Sequence, residues 1–72
     1  MSEFNRQLGA NLRDVRKSSG WSLREVTAET HNDFKTSVLG AYERGERAMT
    51  VERLSQLCEF YGVHPISVIP HA

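Results

Sequence analysis

The chain has 72 residues, with nine basic and nine acidic side chains, so it has room for one small core and no overall pull on a polyanion. Its single cysteine, Cys58, excludes an internal disulfide, and His31, His64 and His71 lie too far apart in sequence to supply the closely paired ligands of a metal site. No apolar run approaches the length of a membrane span and the opening MSEFNRQLG lacks an apolar signal core, so a cytoplasmic protein with no membrane partner, metal or cofactor is expected.

Phe4, Leu8, Leu12 and Val15 recur at helical spacing and predict a first helix over about residues 3–18, stopped by Gly20. In SLRE, Ser22 and Glu25 form a capping box, which starts a short second helix with Leu23 and Val26 inward and an end near Thr30. HND is turn chemistry. A third helix is expected to begin near Phe34 or Lys35 and to end at Gly45. Thr50 caps a fourth helix over Val51 to Tyr61, with Val51, Leu54, Leu57, Cys58 and Tyr61 as its apolar positions and Gly62 closing it. His64 reads as a polar cap before Pro65, which opens a last short helical turn with Ile66 and Ile69 inward. With no strand pattern and short connections, residues 1–72 read as one all-α domain of five helices, its bulk supplied by Phe4, Trp21, Tyr42, Phe60 and Tyr61. Cys58 reads as a small buried hydrophobe.

The third helix carries the pattern most in need of a reason. Thr36, Ser37, Gly40, Ala41 and Arg44 share one stripe, while Val38, Leu39 and Tyr42 face the opposite way as core. A solvated stripe ordinarily carries Glu, Lys and Gln; this one is bare, and a mid-helix glycine costs about 1 kcal/mol against alanine. Small residues here allow a close approach, either to a partner or to another helix of the same chain. Charge is also uneven: residues 1–24 hold Arg6, Arg13, Arg16, Lys17 and Arg24 against Glu3 and Asp14, so an anionic partner meets a local patch. No nucleophile–base arrangement and no glycine loop for phosphates is present, which speaks against an enzyme.

Two short helices around a turn, the second bare on one side, followed by YERGER, a capped helix and FYGV, resemble the Cro and cI repressor-like (XRE) helix-turn-helix DNA-binding domains, whose fold is that of lambda repressor. The resemblance runs from about Leu8 to Ile69 and is closest to an actinobacterial developmental regulator. It implies a bacterial transcription regulator that binds double-stranded DNA at the nucleoid, with the third helix in the major groove. By position it assigns base reading to Lys35, Thr36, Ser37, Gly40 and Ala41, and phosphate contacts to Arg44 and Arg47; the backbone N–H groups at Ser22 with the charge of Arg24 offer a second phosphate site, and Arg13 and Lys17 are weaker phosphate candidates. It aligns Arg16 and Glu43 with an ion pair that joins the first and third helices and fixes the reading helix. It also implies a homodimer on an inverted repeat, with half-sites about 34–36 Å apart. The surplus apolar residues of Val63–Ile69 are the expected dimer surface. Three departures stand out: the longer turn containing HND, Thr27 in place of a small alanine, and Leu23 where a phosphate-binding glutamine is common. The competing reading is a protein-interaction module, an antitoxin or coactivator of the same fold without DNA readout.

Overall fold

Ser2 opens the first helix by accepting a hydrogen bond from the Asn5 backbone N–H at 3.0 Å in the computed structural model, which describes residues 2–71. That helix, α1 (Glu3–Ser18), has Glu3 in its first turn and Arg16 and Lys17 in its last, as the helix dipole favours. α2 (Leu23–Glu29) starts at the capping box: the Glu25 N–H donates to Ser22 Oγ at 3.0 Å and the Ser22 N–H to Glu25 Oε1 at 2.8 Å. The Ser22 amide, then its hydroxyl, hold the Glu25 carboxyl below the usual carboxylate range. α3 (Thr36–Glu43) follows a turn whose His31 and Asn32 take left-handed φ values of 54° and 64°. α4 (Val51–Tyr61) is capped by Thr50 and ended by Gly62 at φ 76°. The fifth helical segment is a three-residue 3-10 turn, Pro65–Ser67, in which the Ile66 N–H donates to His64 Nδ1 at 3.1 Å.

The core gathers one or more residues from each of the four α-helices. Leu12 of α1, Val26 of α2, Leu39 of α3, Leu57 and Cys58 of α4, and Val68 after the last turn are all fully covered. Phe34 joins them at 2 % exposure, and this places it before α3, not in it: the chain turns inward at Phe34 and the helix begins only at Thr36. Three other expectations are corrected. Phe4, at 51 % exposure, lies on the first turn of α1, beyond the body of the core. Val51, at 81 %, is the first residue of α4 and stands on its solvent side. Ile66, at 62 %, points outward because a 3-10 turn repeats every three residues, which puts Val68 below Pro65 and swings Ile66 away. Ile69 remains half-buried.

α3 is held mainly by α1. At Gly9 the α1 backbone passes so close to the end of α3 that a Cβ there would collide with the Tyr42 carbonyl oxygen and lie 2.6 Å from that of Glu43. Just beyond, Gly45 at φ 75° leaves no room either: a Cβ would stand 2.6 Å from Arg6 Cα. On the other side of the molecule, Asn11 Nδ2 donates to the Val68 carbonyl at 2.8 Å and ties α1 to the last turn.

Candidate nucleic-acid interface

The α2–turn–α3 unit forms one face of the molecule, and its exposed line is made by Ser37, Ala41 and Arg44 of α3. Ser37 and Arg44 are exposed and Ala41 is half-buried. Gly40 sits below that line and is buried, but the cover is slight. The three nearest atoms to a Cβ built on it all belong to the Arg44 guanidinium, the closest at 3.0 Å. A flexible side chain, rather than another helix, shields this glycine. Arg44 in turn pairs with Glu46 at 3.0 Å across exposed surface, where such a pair adds little stability.

Two clefts flank α3 and divide the basic residues between them. One, of about 360 Å³, lies toward α1 and α2 and is lined by Arg13, Arg16, Leu23, Gly40, Glu43 and Arg44. The other, of about 530 Å³, lies toward α4 and includes Lys35, Arg47 and Arg53. The exposed residues Arg24 and Lys17 line neither. Lys35 is the N-cap of α3 and gives it no side-chain cap, and the first turn holds no acidic residue. The first N–H groups of α3 are thus unopposed by any carboxylate of their own helix. The start of α2 differs: both the hydroxyl and the amide of Ser22 are already engaged with Glu25.

Thr36 is drawn partly out of the bare stripe. Its hydroxyl lies 3.0 Å from that of Thr27, so the residue that replaces a small alanine in α2 ties the two helices at the root of the turn. Beneath the face, Arg16 and Glu43 form a two-pronged pair, Nε to Oε2 at 2.8 Å and Nη2 to Oε1 at 2.9 Å, with side chains 8 % and 7 % exposed. Nη1 of Arg16 donates to the Trp21 carbonyl at 2.9 Å, so the guanidinium joins α1, the α1–α2 link and α3. The bond to Glu43 raises the Arg16 pKa. Close by, burial and the Glu43 charge push the Tyr61 hydroxyl up to about 12, and it has no hydrogen-bond partner among the described residues. No group of three or more His, Cys, Asp or Glu among the described residues is placed to hold a metal ion. No helix among them is long and apolar enough to cross a membrane.

Sequence reasoning passed over two residues that shape this face. Gly9 is one of five glycines, and its mid-helix position is the one mark it carries in the sequence. Arg53 carries no signal in the sequence, yet its guanidinium reaches back from α4 to the turn before α3, bonding Asp33 and stacking on Phe34.

The same fold recurs in solved structures. The chain is 46% identical to the one described as the crystal structure of the DNA-binding domain of BldD, with a TM-score of 0.93 over 97% of this chain and 99% of that one. It is likewise 46% identical to the chain described as the structure of the S. venezulae BldD DNA-binding domain, with a TM-score of 0.92 over 96% and 100%. Among curated proteins there is no significant match. The model of the helix-turn-helix domain family matches residues 7–68, nearly all of the α1-to-Val68 body, and the chain belongs to that family.

Proposed function

We propose that the chain is a sequence-specific DNA-binding domain of a bacterial transcription regulator. One observation carries this: 46% identity along 97% of the chain to a domain described as the DNA-binding domain of BldD. The geometry supports it. α3 offers Ser37 and Ala41 to base edges, with Gly40 letting the backbone approach once Arg44 swings aside. Arg47 lines the cleft on one flank of α3 and Arg13 and Arg44 the cleft on the other, so a major groove seated on α3 would bring a phosphate wall to each, while Lys35 at the N-cap of α3 stays with the base-reading residues. The free N–H groups of Leu23 and Arg24 at the start of α2 add a weaker phosphate contact beside Ser22. Residues 1–72 act as one binding unit that performs no catalysis.

A domain of this size covers one half-site, so the working form is a homodimer on an inverted repeat, joined through Val63–Ile69. Exposed Ile66 supports that surface.

Selection from random duplex DNA, followed by binding curves across salt concentrations, tests the reading. A single enriched motif and an affinity that falls steeply with salt are expected. Two copies of the motif about one helical turn apart sustain the dimer. Binding without sequence preference overturns the base-reading role. No DNA binding at all favours a protein-interaction module.

A further inference from the structure

The approach to α3 is built from weak parts. His31 and Asn32 both adopt left-handed backbone, which these two residue types tolerate better than most but still at a cost, and Lys35 caps the helix without a side-chain hydrogen bond. Something outside the turn has to hold it. Phe34 anchors it from below and the Thr27–Thr36 bond from one side. From the other side comes a single residue of α4. Arg53 Nη2 donates to the Asp33 main-chain carbonyl at 2.6 Å, and Nη1 to Asp33 Oδ2 at 3.3 Å and to Gln56 Oε1 at 3.1 Å. Its guanidinium carbon stands 3.9 Å above the centre of the Phe34 ring. The root of Arg53 is fixed too, since its N–H is the one that caps α4 at Thr50, at 3.1 Å. A planar fork that grips a carbonyl, a carboxylate and an aromatic face at once sets direction as well as distance.

We propose that Arg53 is a positioning residue: by clamping Asp33 and Phe34 it fixes the entry angle of α3, and so which bases Ser37 and Ala41 meet. This rests on the reading of α3 as the base-reading helix. The guanidinium is committed to the turn and its side chain is 28 % exposed, so Arg53 acts through α3, although it lines the same cleft as Lys35 and Arg47. A direct phosphate contact would act otherwise. It would serve every DNA sequence alike and register in the salt dependence.

The test uses Arg53→Met, which keeps the stem over Phe34 without the fork, and Arg53→Lys, which keeps the charge. Binding to the selected motif and to random duplex is measured across salt, alongside amide hydrogen exchange of the free protein. Both variants are expected to lose about tenfold of the preference for the motif over random DNA, comparable to one mismatched base pair, with random-DNA affinity and salt slope unchanged. Exchange at the Leu39 and Gly40 amides, the first bonded within α3, should rise about tenfold relative to Leu12 and Leu57. Retained preference in Arg53→Met overturns the proposal. So does a salt slope lowered by Arg53→Met and restored by Arg53→Lys, which marks a phosphate contact. So does an even rise in exchange across all helices, which marks general destabilisation. If the wild type shows no sequence preference, the DNA reading falls, and unchanged exchange at Leu39 and Gly40 then overturns the clamp separately.

Discussion

Gly9 and Gly40 look alike in the sequence, each a lone glycine inside a helix, yet they face opposite constraints. Gly9 is pressed against main-chain carbonyls of Tyr42 and Glu43, atoms that cannot move without dismantling α3. Gly40 is covered only by the tip of Arg44, a side chain that can swing away. The inner surface of α3 is therefore fixed by backbone contact and a buried ion pair, while the outer surface is kept clear by small residues under one movable cation. A small residue signals close approach; only the identity of the neighbouring atom tells whether the approach is permanent or waiting for a partner.

The largest effect is expected on the inner surface. Glu43→Ala leaves the Arg16 guanidinium buried with two of its three hydrogen bonds missing and should cost about 3–5 kcal/mol in denaturant unfolding. A loss well below that range would show that water or the Trp21 carbonyl can satisfy Arg16 alone. Gly9→Ala comes next. The added methyl meets two carbonyls, and about 2–3 kcal/mol should be lost despite the gain in helix propensity. Stability retained in Gly9→Ala would erase the contrast between the two glycines.

On the outer surface the sign reverses. Gly40→Gln should hold stability or raise it by up to about 1 kcal/mol, because glutamine is the better helix former and Arg44 can yield. The same change should weaken binding to the selected motif by about 1–3 kcal/mol. Melting and binding curves on one preparation decide between this and a packing role, which predicts lost stability with affinity falling only as the folded fraction falls. The smallest effect belongs to Tyr61, whose hydroxyl has no partner: Tyr61→Phe should change stability by less than about 1 kcal/mol at neutral pH. Its influence appears in alkali. With a folded pKa of about 12 against an ordinary value near 10, the folded state keeps the proton longer. Stability from Tyr61 is complete below pH about 10 and is lost as pH rises towards 12, a slope that Tyr61→Phe should flatten.

What could be read in the sequence was what is decided locally. Ser22 with Glu25, Thr50, Gly62 and His64 before Pro65 each act within a turn of their own position, and α2, α4 and the last helical turn follow from them. Arg16 and Glu43 were singled out by resemblance, since 27 residues separate them and no periodicity links them. Phe34 and Arg53 were not legible. The first depends on where the turn dips into the core, and the second on α4 crossing back over a residue 20 positions earlier. The exposed line of α3 was visible as a stripe, but its division into two clefts required the placement of α1 and α4 on either side.

Cys58 has no exposed surface, and burial pushes its thiol above the ordinary range. A thiol that neither ionises readily nor meets solvent resists oxidants and alkylating reagents for as long as the domain stays closed. The chain thereby carries its own opening reporter: with an excess of a small thiol reagent, the rate at which Cys58 is modified counts excursions out of the native state. It can be followed with DNA present or absent, and any ligand that binds only the closed form must slow it in proportion to occupancy.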